Sequence, residues 1–198
     1  MNNEENKKLF IDLLSGVQRE GIDKLLAWLA TKSDFYTAPA STRFHLACEG
    51  GLLQHSLNVY TEAMKLAPLY FTAEQLDDSL MQSITLCALM HDLCKANTYS
   101  KYKKNVKNDE TGRWEAVDAY KTDVQVPWGH SQKSVIMLQN FVRLSGDEIG
   151  AILAHMGFSD SAFKGGDGYV GDIFEKNTLA VVIHMADLAA SKIIERGM

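Results

Sequence analysis

Several residues in this chain stand where an apolar helix face tolerates them least. His55 lies in line with Leu52 and Val59, and His91 continues the face of Ile84, Cys87 and Ala88. Asp187 lies between Ile183 and Ala190 on a largely apolar stretch. A carboxylate on a buried face is costly unless a cation neutralises it. A divalent metal shared with neutral imidazoles would supply that charge and fix the ring tautomers. His91 and Asp92 are adjacent, and neighbours on a helix point about 100° apart, so both would reach an ion at the helix flank or a pair of ions bridged by the carboxylate. Lys95 follows at i+4 from His91 and i+3 from Asp92, where an ammonium would suit a phosphate oxygen. Each feature also has a plain structural reading. A lone histidine on such a face is often a hydrogen-bonded core residue, Lys95 would favour the C-terminal end of its helix dipole, and Asp187 would pair with an arginine or lysine.

The elements that must position these residues are mostly helical by periodicity. Phe10, Leu13 and Leu14 mark a first amphipathic helix, and Ile22, Leu25, Leu26 and Leu29 a second. Residues 34–44 have no period. Gly50-Gly51 is a tight entry to a third helix, expected from Leu52 to Ala67 and stopped by Pro68. Thr72-Ala-Glu-Gln75 has the capping-box form, which predicts a long helix to about Lys95; Ser145-Gly-Asp-Glu148 repeats the form before a helix reaching His155. Pro127 is placed to open a helix to about Leu144, and the last helix is expected from Lys176 to Glu195. Residues 99–126 break the pattern. Tyr99, Tyr102 and Val106 precede the turn residues Asn108 to Gly112, and Trp114, Val117 and Tyr120 follow them, which reads as a β-hairpin over about 99–122 inserted in an all-α domain. The glycine-rich stretch from Gly165 to Gly171 reads as a loop. With no internal repeat and no linker composition, residues 1–198 are taken as a single domain, N-terminal helices over 1–33 and a core over 34–198.

Charge and composition narrow the function. The net charge of -5 argues against a protein that coats nucleic acid, because duplex binding draws on clustered positive charge. It leaves room for a nucleotide held through a metal. The cysteines, Cys48, Cys87 and Cys94, are odd in number and lack a framework spacing, which fits a reducing cytoplasm. The first residues carry no secretory segment, and the most apolar stretch, Leu179 to Ala190, is short and interrupted by His184 and Asp187, so no membrane anchor is expected.

The order GGLLQHS at 50–56, LMHDLCK at 89–95 and HMADLAA at 184–190 resembles the HD superfamily of metal-dependent phosphohydrolases. FHLACEGGLLQHS at 44–56, PWGHSQKS at 127–134 and AHMG at 154–157 extend the likeness to a branch that includes the HD domain of 3′→5′ exoribonucleases and bacterial and phage HD hydrolases. The resemblance covers nearly the whole chain from residue 34. It implies an HD-domain helical bundle in which His55, His91, Asp92 and Asp187 bind a first metal. His130 and His155 would be extra ligands to a second, with Asp92 as the bridge. Lys95 matches a lysine that contacts substrate phosphate, and His45 reads as a pocket residue. The chain departs from the exoribonucleases in two ways. It has no room for their oligonucleotide-binding barrel, and their His-His pair is here His155-Met156, both of which argue against a processive nuclease.

The expected activity is metal-assisted hydrolysis of a phosphate ester, a monoester or diester, with one or two divalent ions (iron, manganese, nickel, cobalt or zinc). Asp92 and Lys95 are the expected catalytic groups, and Lys95, His45 and Arg43 the substrate contacts. The substrate class implied is a nucleotide or short oligonucleotide. The hairpin segment KYKKNVK, 101–107, interleaves lysines with a tyrosine, a pattern able to hold single-stranded RNA or DNA and equally that of a solvated hairpin. The alternative from another class is a metal-dependent nucleotide-binding sensor that does not turn over.

Overall fold

The computed structural model describes residues 3–123, 128–159, 166 and 168–197. Within them the chain is mostly helical: α1 (Asn3–Ser15), α2 (Ile22–Thr31), α3 (Gly51–Tyr70), α4 (Asp78–Met90), α5 (His130–Gln139), α6 (Gly146–Ala154), α7 (Tyr169–Lys176) and α8 (Thr178–Ala189). A 3-10 turn, Leu93–Lys95, follows α4, and a π-helical turn, Ala190–Ile194, prolongs α8. Between α4 and α5 the chain makes an antiparallel hairpin of β1 (Tyr99–Lys107) and β2 (Trp114–Thr122), with Tyr99 opposite Thr122 and Lys107 opposite Trp114. The all-α scaffold with one inserted hairpin is the architecture that the periodicity predicts.

Helix α3 is the central strut. It packs along α8 and α4 and receives α1, while α6 closes on α8 from the other side. One cluster of buried apolar side chains runs through these elements, from Phe10 and Leu14 through Leu52, Leu53 and Leu89 to Val182 and Ile183. No single helix among the described residues is long and apolar enough to cross a membrane. The three cysteines are free.

Several boundaries differ from the sequence expectation for local reasons. Pro68 does not stop α3, which continues to Tyr70. In a last turn, proline forfeits one backbone bond, and the Phe71 amide still closes on the Ala67 carbonyl at 3.0 Å. The Thr72–Gln75 box forms both of its bonds, Thr72 amide to Gln75 Oε1 at 2.9 Å and Gln75 amide to Thr72 Oγ1 at 3.4 Å, yet it closes only a turn. Helix α4 starts later, where Asp77 accepts from the Leu80 amide. It also ends earlier, at Met90, so His91 and Asp92 occupy the bend between α4 and the 3-10 turn. Helix α5 stops at Gln139 rather than near Leu144, and α7 covers residues 169–171, where the glycine-rich composition predicts a loop. Asn177 caps α8 by accepting from the Ala180 amide, one residue past the expected start. Pro127 and the positions 165 and 167 of the glycine-rich stretch lie outside the described residues. The Ser145 box before α6 is complete, with both reciprocal bonds.

Candidate metal centre

Four histidines from four parts of the chain converge on one carboxylate. His55 comes from the second turn of α3, His91 from the end of α4, His130 from the first residue of α5 and His155 from the end of α6. Their Nε2 atoms face the Asp92 carboxylate: His55 and His91 lie 3.5 and 3.4 Å from Oδ2, and His130 and His155 lie 2.7 and 3.6 Å from Oδ1. Asp187 of α8 adds a second acid, its Oδ1 being 3.2 Å from His55 Nε2. The two oxygens of Asp92 therefore sort the imidazoles into pairs. The bend after α4 places Asp92 so, since it leaves the helix with φ −102° and ψ 20° and turns its side chain into the cluster.

The other ring nitrogen of each histidine is held from behind. His91 Nδ1 donates to the Ala88 carbonyl at 2.9 Å, and His155 Nδ1 to the Ile152 carbonyl at 2.7 Å. His55 Nδ1 donates to Glu195 at 2.9 Å, and His130 Nδ1 lies 3.2 Å from the Cys94 thiol. A carbonyl oxygen only accepts, so the proton of a neutral His91 or His155 must sit on Nδ1 and its Nε2 must present a lone pair. His91 Nε2 then faces His55 Nε2 at 3.3 Å, and His155 Nε2 is buried with no hydrogen-bond partner. Lone pairs gathered around two carboxylates, at the largely buried end of a cavity, suit a cation. The donor set of imidazole and carboxylate suits a divalent transition metal. Geometrically, His55 with His91 and Asp92, His91 with His155 and Asp187, and Asp92 with Cys94 and His130 each bring three ligand atoms within 4.8 Å of one another.

Electrostatics agree. Burial opposes charge on Asp92, but Lys95, His91 and His130 outweigh it and hold the carboxyl well below its ordinary range. Asp187 is likewise held low against its burial, chiefly by His55. Burial alone would lower the His55 pKa, but hydrogen bonds to Asp187 and Glu195 raise it to about 9. Cations and protons would compete for these imidazoles, so metal uptake there would release protons. Burial, aided by Asp92, pushes the Cys94 thiol up to about 12, which keeps it neutral and unreactive.

Lys95 Nζ sits 2.5 Å from Asp92 Oδ2, with 13% of its side chain exposed. The cluster opens into a cavity of about 350 Å³ whose wall includes Lys95, His45, Tyr99, Thr122, Phe44 and Lys192. The His45 ring lies 5.0 Å from that of His55. Arg43 is not brought into the wall; it is exposed, with its guanidinium 5.2 Å from the Phe44 ring centre. The Gly50-Gly51 entry has a steric reason, because a Cβ on Gly51 would lie 2.1 Å from the Leu46 carbonyl oxygen. That close approach lets the segment carrying His45 fold against the start of α3. At the other side Gly157, with φ +54°, leaves room for His184, whose Nδ1 donates to the His155 carbonyl at 2.7 Å.

Two partners of the site were not found by the sequence reading, Glu195 behind His55 and Cys94 behind His130. Glu195 is 1% exposed, and a lone acid after Ile193-Ile194 is the only sequence signal of it. The chain matches no protein-family model, no curated protein and no solved structure.

Proposed function

We propose that this chain is a metal-dependent phosphohydrolase of the HD type, acting on a phosphate ester of nucleotide size. The observation that carries the reading is the inward convergence of four Nε2 atoms on Asp92, each ring braced through its Nδ1. His55, His91, Asp92 and Asp187 would hold one divalent ion. His130 and His155 would hold a second on the Oδ1 side of Asp92, which then bridges. Such ions supply Lewis acidity and make water a better nucleophile near neutral pH.

The remaining groups do the positioning. Lys95, which neutralises Asp92 Oδ2, is within a side-chain rotation of the cavity and is suited to turn its ammonium to a phosphoryl oxygen as charge develops there. With its carboxyl held well below the ordinary range, Asp92 would serve as ligand rather than as proton acceptor. Tyr99 and Thr122, the base of the hairpin, form one wall; Phe44, Met156 and Leu188 supply apolar surface for the group that leaves. A cavity of about 350 Å³ lies within the range of small-ligand sites. The buried lysine on the bridging acid favours turnover over a sensing role, because a module that only binds has no need of a cation competing with its own metal. The proposed setting is the cytoplasm, with single-stranded RNA or DNA as a possible longer substrate along the hairpin.

The test is metal-dependent release of phosphate or nucleoside from a panel of nucleotides and short RNAs, with His91→Ala and Asp92→Ala beside the parent chain. Both variants should lose most bound metal and all turnover. Full metal occupancy in both would remove the assignment.

A further inference from the structure

The last turn of the chain departs from α-helical winding where it passes the metal centre. The Glu195 amide bonds to the Ala190 carbonyl at 2.9 Å, a bond to the fifth residue back rather than the fourth. A turn closed in that way contains one extra residue, and such turns are frequent at functional sites. The phase consequence is direct. In uninterrupted α-helix, a residue eight places after Asp187 points about 80° away from it. With one residue absorbed by the turn, Glu195 takes the direction of the seventh place, about 20° from Asp187. Both acids then face His55. Asp187 reaches Nε2 at 3.2 Å, while Glu195 receives Nδ1 on both oxygens, at 2.9 and 3.1 Å.

The Glu195 carboxylate is itself fixed. Asn58, one turn after His55 on α3, donates to its Oε1 at 2.8 Å. The residue has 1% exposure, so its charge has no solvent to answer to and is satisfied within this small cluster. His91 and His155 are braced by backbone carbonyls of their own helices, whereas His55, in the second turn of α3, has a carboxylate from the far end of the chain instead. An acid behind an imidazole fixes the tautomer and raises the basicity of the opposite nitrogen.

We infer that Glu195 is a positioning residue for the metal centre: the π-helical turn brings it behind His55, where it holds the proton on Nδ1 and aims Nε2 at the ion. The inference rests on the metal-centre reading given above. It is tested on the full chain, stripped of metal by a chelator and titrated with Co²⁺, followed by visible absorption. Glu195→Ala should weaken Co²⁺ binding by roughly 10–100-fold. Glu195→Gln keeps an acceptor for Nδ1 and should lose much less. Imidazole nitrogen NMR on the metal-free protein, at a pH high enough to leave the ring neutral, should show His55 protonated at Nδ1 in the parent and in Glu195→Gln, and a perturbed or mixed tautomer in Glu195→Ala. Parent-like affinity and an unchanged His55 ring in Glu195→Ala would overturn the inference, as would a loss in Glu195→Gln equal to that in Glu195→Ala, because the effect would then be charge alone. If Glu195→Ala does not fold, the His55 ring of Glu195→Gln decides: it must stay protonated at Nδ1. Failure of the parent chain to bind Co²⁺ or Zn²⁺ would instead sink the metal-centre reading itself.

Discussion

At the residue scale, Asp92 is the point on which the site turns, and Lys95 is the residue whose role is most open to a decisive measurement. The ammonium at 2.5 Å from Oδ2 competes with a cation for that oxygen. Lys95→Met removes the competitor and nearly preserves side-chain length. Metal affinity should stay the same or tighten, while hydrolysis should fall roughly 100-fold if the ammonium stabilises developing phosphoryl charge. A loss confined to kcat marks a contact made in the transition state, and a loss confined to KM marks simple binding. Turnover at the parent rate would leave Lys95 with only a structural pairing role. His55, His91 and Asp187 were legible in the sequence because histidine and aspartate on apolar helix faces are costly and therefore noticeable, and Asp92 by its place beside His91; His130 and His155 were named only through the family resemblance. Glu195 was not, because a phase argument that assumes α-helical winding sends it about 80° away from Asp187.

At the element scale, the strongest local signal was the capping box of α6, and its glutamate has a second duty. Arg19, in the turn between α1 and α2, bonds Glu148 at 2.6 Å and Ser83 of α4 at 3.0 Å, so one guanidinium ties three elements together. Glu148 is fully buried. Burial would raise its pKa, but Arg19, the Ser145 amide and Ser83 outweigh that and hold it below its ordinary value of 4.5. A depressed folded-state pKa means that the stabilisation is complete above the unfolded value and is lost as pH falls through the folded one. Arg19→Met leaves the carboxylate buried and unpaired, at a cost of about 3 kcal/mol at pH 7. The gap between the parent and the variant should narrow in urea melts as pH falls towards 4.5, where protonation relieves the variant's buried charge, and further below 4.5, where the parent loses its own stabilisation. A gap of the same size at pH 3 and pH 7 would mean that Arg19 acts by packing. The other box, Thr72–Gln75, shows where local reading stops. Its bonds are made, but after Leu76, whose amide closes back on the Thr72 carbonyl, Asp77 takes an extended conformation and caps a new helix, so the turn is not extended.

At the scale of the whole molecule, the centre joins α3, α4, α5, α6 and α8, so a cation held there would bind only the folded state. At free metal one hundred times its Kd, the linkage is worth about 2.7 kcal/mol. For a chain of this length that is a rise of roughly 5–10 °C in Tm. Calorimetry with and without chelator should show the shift in the parent chain and none in Asp92→Ala. The helical scaffold and the inserted hairpin were both readable from periodicity, since the change from a period near 3.6 to one near 2 falls where β1 begins. The exact register of the hairpin, and the way its base lines the cavity beside the candidate metal centre, depend on tertiary contacts that no period encodes.

The hairpin is closed at its base, where the Asp123 amide bonds to the Thr98 carbonyl at 2.7 Å and Tyr99 faces Thr122, and near that base Lys101 pairs with Glu49 at 2.8 Å, an exposed contact. Beyond that base its strands are solvated on both faces, with Trp114 71% exposed. Two strands without a hydrophobic face against a partner are marginal in water. Amide hydrogens between residues 100 and 121 should therefore exchange with deuterium through local opening, at rates indifferent to chelator and to mild denaturant. Those in the buried stretches of α3, α4 and α8 should exchange only when the entire scaffold opens, and should slow further when metal is added. One protein would thus keep two clocks, and only the slower one would register the ion.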